Sequence, residues 1–106
     1  MKMPAVIEAF FAADHQNGQN VLQSLFTPQA VVSDERTSHL GTDAITSWWM
    51  AAKEKYRHST KPLDAEKRDG EHVVRGEVTG QFPGSPIVLT YRFRLDGDKI
   101  ATLEIG

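Results

Sequence analysis

Residues 25–49 read LFTPQAVVSDERTSHLGTDAITSWW, and this stretch decides how the rest of the chain is arranged. Pro28 lacks the N–H that a helix needs and disfavours helical geometry in the residue before it, so a preceding helix should end near Phe26. The apolar beginning of residues 30–35 predicts a short strand. A glycine then introduces a second, strongly apolar helix, for which Thr42 is the expected N-cap.

Asp34 is the residue of chemical interest in this stretch. Side chains of a strand alternate between two faces, so Asp34 lies inward if Val32 does. Its carboxylate would then lie beside Trp48 and Trp49 of the following helix. Apolar neighbours raise the pKa of a carboxyl group, which would make Asp34 a base near neutral pH. The alternative is a structural Asp34 that accepts a backbone N–H or pairs with Arg36.

The composition predicts one soluble globular domain that spans residues 1–106. The chain has 40% apolar and 25% charged residues, and its net charge of −2 argues against nucleic acid or an anionic membrane as a partner. Without cysteine there is no disulfide and no thiolate nucleophile. No apolar stretch reaches the length of a membrane span, and Glu8 interrupts the segment that loosely mimics a signal peptide. We therefore expect a cytoplasmic protein.

The order of the predicted elements indicates an α+β fold. Helical spacing of apolar residues predicts helices at residues 4–16, 19–26 and 43–56. Later strand-like patterns predict strands at residues 61–67, 72–82, 86–95 and 99–105. The Asp-Gly pairs at 69–70 and 96–97 are hairpin signals, and Pro-Gly at 83–84 fits a type II turn. Helices first and strands later favour α+β with consecutive antiparallel hairpins.

Two glycines stand on the inward face of the predicted strand at 72–82. Gly76 and Gly80 bring no side chain to that face, which is typical of a bend or of close approach by another group, and predicts a curled sheet around a hollow. The outward face mixes β-branched and charged side chains, so we expect it to pair two copies of the chain as a homodimer. It comprises Val73, Arg75, Glu77, Thr79, Val88, Thr90, Arg92, Arg94, Ile100, Thr102 and Glu104.

The sequences FTPQAVV at 26–32 and GTDAITSW at 41–48 resemble the SnoaL-like branch of the NTF2-like superfamily. The resemblance covers essentially the whole chain. It implies an NTF2-like conical barrel, in which three N-terminal helices pack on the concave face of a curled antiparallel sheet. Members include steroid isomerases, polyketide cyclases, dehydratases, epoxide hydrolases and non-enzymatic modules, so the fold alone does not choose a function.

Three positions can be compared with the ketosteroid isomerase pattern that this resemblance implies. Asp34 takes the place of the general base. Phe11 falls where that pattern has a tyrosine donor, so one hydroxyl is lost. Tyr91 falls near the carboxylic acid donor of a late strand and supplies a hydroxyl instead. The resemblance therefore implies an acid–base pocket and argues against steroid isomerisation itself.

We expect one mostly apolar cavity between the sheet and the helices, opening near His39. Its expected lining is Phe11, Val32, Asp34, Trp48, Tyr56, Val78, Phe82, Tyr91 and Leu103. In the catalytic interpretation Asp34 is the base, and Tyr91 or His39 assists it. Asp14, at the end of the first helix, can cap, pair or point into a cavity. Four basic residues, Lys53, Lys55, Arg57 and His58, end the third helix, where they suit the helix dipole or bind an anion.

The leading hypothesis is a protein that binds a small, apolar or amphipathic molecule, with isomerase, cyclase or dehydratase chemistry if Asp34 acts as a base. One alternative is a non-catalytic ligand-binding or dimerisation module of the same fold. Another is a hydrolase of the epoxide hydrolase type, in which Asp34 and Arg36 converge on one water. The four histidines lack metal-ligand spacing, and there is no phosphate-binding loop or nucleophilic serine motif. We expect neither a metal nor a cofactor.

Overall fold

The computed structural model describes residues 2–16 and 18–106. In this part of the chain three helices and one curled sheet of six strands form an α+β structure, as the sequence predicts. The helices are α1 (Ala5–Gln16), α2 (Gln19–Ser24) and α3 (Thr42–Tyr56). The strands are β1 (Phe26–Asp34), β2 (Thr37–Leu40), β3 (Ser59–Arg68), β4 (Glu71–Thr79), β5 (Ile87–Asp96) and β6 (Lys99–Ile105). None of the helices in the described residues has both the length and the apolar character that a membrane crossing requires.

The sheet has the order β2-β1-β6-β5-β4-β3. The hairpins β3–β4, β4–β5 and β5–β6 are antiparallel, in agreement with the turn signals between them. β1 pairs antiparallel with β2 on one side and parallel with β6 on the other. The structure thus differs from the wholly antiparallel prediction at one pair, because hairpin signals relate only strands that follow each other in the chain.

The first half of the chain shows further differences from the prediction. α2 ends at Ser24, β1 already begins at Phe26, and the strand β2 falls in a segment that we predicted as a loop. Ile100, expected on the outward face, is fully buried. Its N–H donates to the carbonyl of Leu25 over 2.8 Å. A register shift between Arg94 and Leu95 on the neighbouring strand changes which side chains face inward, and the sequence carries no signal for it.

The start of α3 is fixed by Gly41 and not by the expected cap Thr42. Gly41 is the N-cap, with φ of 87° in the left-handed region that glycine adopts without strain, and no side chain caps the helix. Its N–H donates to the carbonyl of Ala30 over 2.8 Å. This bond sets the position of α3 relative to β1, the strand that carries Asp34.

The core is aromatic at its centre. Phe10 packs edge-on against Phe11, Phe26 and Phe93, with ring centroids 5.2, 6.3 and 5.5 Å apart. Side chains that are at most 1% exposed come from all three helices and from four strands: Ile7, Leu22, Ile45, Val32, Val74, Phe93 and Leu103. Burial of each such side chain stabilises the fold by about 1.5–3 kcal/mol.

The outward face of the sheet leads to a prediction about assembly. Val88 is 50% exposed there, among arginines that pair with Glu71 and Asp64. We expect a homodimer by light scattering at micromolar concentration, because β-branched and oppositely charged side chains can complement themselves about a two-fold axis. The substitution Val88→Glu should shift it towards the monomer. Met50→Glu, at an exposed apolar residue of α3, is the control. A monomeric mass for the wild type would contradict the prediction.

Candidate functional site

A cavity of about 290 Å³ lies between α3, the end of β1 and the inner face of β4–β6. Its wall is mostly apolar and includes six of the nine predicted residues: Asp34, Trp48, Tyr56, Val78, Phe82 and Tyr91. Both tryptophans line it, which the sequence left undecided. The residues of the wall that sequence reasoning missed are mainly polar or aromatic, among them Phe10, Asp14, Glu35, Trp49, His58 and Thr60.

Three residues predicted for the wall are core residues instead. Phe11, Val32 and Leu103 are 3%, 0% and 1% exposed and do not line the cavity. Phe11 packs edge-on against the ring of Tyr91, 5.2 Å between centroids, and Tyr91 presents its own ring to the cavity. Strand alternation identifies the inward face but not how deep each inward side chain lies.

Part of the cavity wall is a carboxylate corner, which we define as Asp34, Glu35, Trp48 and Tyr56. Asp34 ends β1, and Glu35 follows in a turn with φ of 50°. Trp48 and Tyr56 are eight residues apart on α3 and therefore lie on the same side of the helix. The Trp48 Nε1–H donates to Asp34 Oδ2 over 3.1 Å, and the Tyr56 hydroxyl donates to Glu35 Oε1 over 3.0 Å.

The surroundings of Asp34 favour its protonated form. Burial raises the pKa of Asp34 above its ordinary value of 3.8, and the neighbouring charge of Glu35 acts in the same direction. The hydrogen bond from Trp48 opposes this shift without cancelling it. Asp34 is therefore a stronger base than an exposed aspartate. It lines the cavity, on the inward face that strand alternation from Val32 predicts.

A second polar group at the cavity is an inner charge cluster, which we define as Asp14, Lys53, His58 and Thr60; all of these but Lys53 line the cavity. Asp14 is only 5% exposed, with Oδ1 2.8 Å from Lys53 Nζ and Oδ2 accepting the Thr60 N–H over 2.9 Å. Lys53 also donates to the carbonyl of His58 over 2.6 Å. The carboxylate of Asp14 is thus bound on both oxygens and serves to hold α1, α3 and β3 together.

His58 is a neutral imidazole in this cluster. Its Nε2 lies 3.6 Å from Asp14 Oδ1. Burial lowers the pKa of His58, and the charge of Lys53 lowers it further, while Asp14 opposes both effects. His58 is therefore uncharged near neutral pH, with one ring nitrogen able to donate a hydrogen bond and the other able to accept one. The sequence indicated Asp14 and the basic end of α3 separately but gave no reason to bring them together.

Tyr91 carries the hydroxyl of the wall. Its OH and Thr60 Oγ1 share a hydrogen bond of 3.0 Å. Burial raises the pKa of Tyr91, so the phenol stays protonated and remains a hydrogen-bond donor. Gly76 makes this pair possible, because a Cβ there would lie 2.6 Å from Thr60 Cγ2 and 3.1 Å from Tyr91 Cε1.

His39 and Arg36 lie outside the wall, contrary to two of the hypotheses. His39 is on β2, with its ring 5.8 Å from that of Trp48, and does not line the cavity. The side chain of Arg36 is exposed in the turn after β1, so it does not converge with Asp34 on the cavity as an Asp–Arg hydrolase requires. Residues 2–16 and 18–106 contain no group of three histidine or acidic side chains placed to hold a metal ion.

Solved structures resemble this chain, although its sequence matches no protein-family model and no curated protein. A protein of Sinorhizobium meliloti, provisionally assigned as a polyketide cyclase, is 40% identical, with a TM-score of 0.95 over 98% of this chain and 95% of that one. A hypothetical protein of Catenulispora acidiphila with a ketosteroid isomerase-like fold, in complex with trimethylamine, is 17% identical, with a TM-score of 0.85 over 99% and 86%. A provisionally assigned SnoaL-like polyketide cyclase of a Jannaschia species is 14% identical, with a TM-score of 0.80 over 95% and 81%.

The last two likenesses show the fold alone, whereas the first extends to the sequence over nearly the whole of both chains. The chain belongs to the NTF2-like superfamily, in its SnoaL-like branch.

Proposed function

We propose that this NTF2-like domain binds a small, largely apolar molecule in its cavity and moves a proton with Asp34. One observation carries the proposal: a half-buried carboxylate lies in a mostly apolar wall, where its side-chain donor is the neutral indole of Trp48. A carboxylate with a raised pKa that faces a ligand cavity is suited to act as a general base.

The proposed step is removal of a proton from a carbon next to a carbonyl group. Asp34 takes the proton, and the electron pair of the C–H bond moves into the carbonyl to give an enolate. When Thr60 donates to Tyr91, the Tyr91 proton is directed to the ligand, where it can stabilise the enolate oxygen. Return of the proton to another carbon is isomerisation, and attack of the enolate on a second carbonyl is cyclisation. The provisional assignment of the 40% identical protein favours cyclisation.

The base can be tested with nitrobenzisoxazole, a small carbon acid that needs no further catalytic group. A base takes its C–H proton, the electron pair forms the nitrile, and the N–O bond breaks to release a coloured phenolate. We expect Asp34→Asn to lower kcat/KM at least about a hundredfold. The wild-type rate should rise with pH to a plateau, with a midpoint above 3.8, because only the carboxylate form accepts the proton.

The control is Asp64→Asn, which removes an exposed carboxylate on β3 outside the cavity and should leave the rate unchanged. An Asp34→Asn protein that is folded and as active as the wild type would contradict the proposal. Loss of the Asp34 dependence with retained ligand binding would favour the non-catalytic binding module.

A further inference from the structure

We infer that the molecule bound in this cavity carries an organic ammonium group at the carboxylate corner, next to an apolar body. The inference rests on the proposed function, since it concerns the ligand of the same cavity. The site is the aromatic-walled cavity itself, and its charges specify which class of ligand fits.

The charges of the cavity wall favour a cationic ligand. Three carboxylates line the cavity, and the protein neutralises only Asp14, through Lys53. Among the residues that the structure describes, Asp34 and Glu35 form no ion pair. Their side-chain donors are uncharged: the indole N–H of Trp48 for Asp34 and the phenol of Tyr56 for Glu35. The one basic residue of the wall is His58, which burial keeps neutral. The corner therefore presents two carboxylates without an ion-pair partner, since His39 acts on Asp34, and Lys55 on Glu35, only through longer-range charge.

Aromatic rings of the carboxylate corner, and Phe82 beside it, also favour an ammonium group. The rings of Trp48, Tyr56 and Phe82 all line the cavity, and Tyr56 and Phe82 pack edge-on with centroids 5.9 Å apart. Aromatic faces attract ammonium groups, most strongly where water is excluded. The chain already uses this attraction outside the wall, where Lys55 Nζ lies 4.9 Å from the centroid of the Tyr56 ring.

Other ligand classes fit this arrangement less well. An anion would be repelled by Asp34 and Glu35, and a wholly apolar ligand would take water from the half-buried Asp34 without replacing it. A substituted ammonium offsets their charge and places its carbon atoms against the rings. An apolar body then reaches Val78, Leu89 and Ile105 further along the wall.

A pair of probes of equal shape separates charge from fit. Choline and 3,3-dimethylbutan-1-ol differ in having a quaternary nitrogen or a carbon at the same position. We would titrate each into the protein at constant ionic strength and neutral pH, and follow the indole N–H signals of Trp48 and Trp49 by NMR. Choline should bind with a Kd at least about fivefold lower than the alcohol, as a partly desolvated cation–π contact implies.

Variants then show which carboxylates cause the preference for choline over the alcohol. Glu35→Gln should reduce the advantage of choline, and the double variant Asp34→Asn/Glu35→Gln should abolish it while the affinity for the alcohol stays the same. Glu104→Gln, on an exposed residue of β6 outside the wall, is the control for net charge and should change neither affinity. Equal affinity of the two probes, binding of neither, or a preference that survives the double variant would overturn the inference.

These outcomes are distinct from those of the proposed function. If nitrobenzisoxazole turnover depends on Asp34 but choline has no advantage, only the ammonium inference fails. If choline has the advantage but turnover does not depend on Asp34, the proton-transfer role fails and the cavity remains a site for organic cations.

Discussion

Replacing Asp14 by alanine should lower the free energy of unfolding by about 3–5 kcal/mol. The side chain of Lys53 is 11% exposed, its Nζ lies 2.8 Å from Asp14 Oδ1, and its charge would be left buried without a counter-charge. The N–H of Thr60, which donates to Asp14 Oδ2 over 2.9 Å, would lose that acceptor too. Since these contacts join α1, α3 and β3, the loss should appear as a lower midpoint in urea unfolding.

The control for this prediction is Asp64→Ala. Asp64 pairs with Arg75 on the surface, where water screens the charges, so the expected loss is much smaller than for Asp14→Ala. Restoring neutrality with Asp14→Ala/Lys53→Met should recover part of the stability, because no charge is then buried alone. If Asp14→Ala unfolds at the same urea concentration as Asp64→Ala, the inner charge cluster does not hold the helices to the sheet.

The substitution Gly76→Ala should destabilise the protein by about 1–3 kcal/mol. The new Cβ would lie 2.6 Å from Thr60 Cγ2 and 3.1 Å from the Tyr91 ring, and Thr60 is 2% exposed, so neither neighbour can move aside freely. The midpoint of thermal unfolding measures this loss. The hydroxyl pair of Thr60 and Tyr91 should be displaced with it.

A second substitution identifies the clash. Thr60→Ser removes the Cγ2 methyl but keeps the hydroxyl, so Gly76→Ala/Thr60→Ser should be more stable than Gly76→Ala alone. Gly18→Ala is the matched control, because its Cβ would meet only ordinary contacts of 3.6–3.7 Å. No recovery in the double variant, or an equal loss at Gly18, would show that close packing of Thr60 is not what requires glycine at this position.

The sequence predicts best what depends on local periodicity. Alternation from Val32 places Asp34 on the inward face, and helical spacing places Trp48 and Tyr56 on one side of α3. Two inward glycines indicate a close approach, which the structure shows at Gly76. Each of these inferences needs only the geometry of a single strand or helix.

The remaining parts of the site depend on contacts between distant elements. Asp14 meets Lys53 and Thr60 only when α1 crosses the end of α3 and the start of β3, and no local pattern encodes this. The histidine chosen from the sequence, His39, lies on β2 outside the wall, with its ring 5.8 Å from that of Trp48, and His58 lines the cavity instead.

The depth of the inward side chains was not predictable either. Phe11, Val32 and Leu103 face the interior as expected, yet they are core residues at most 3% exposed. A periodic pattern separates inside from outside, but the boundary between a packed core and a cavity is set by side chains of several elements that meet in space.

The central claim is that Asp34 is held in the cavity for its chemistry and at a cost in stability. Because the pKa of Asp34 is raised by folding, its charged form destabilises the native state above the folded pKa, and this effect disappears as the pH falls below 3.8, where both states are protonated. Urea unfolding of the wild type and of Asp34→Asn between pH 4 and pH 8 measures it directly. We predict that the asparagine variant is at least as stable at pH 7, with an advantage that shrinks as the pH is lowered. A variant less stable than the wild type by about 1 kcal/mol or more at pH 7 would show that Asp34 is a structural acceptor and would contradict the account.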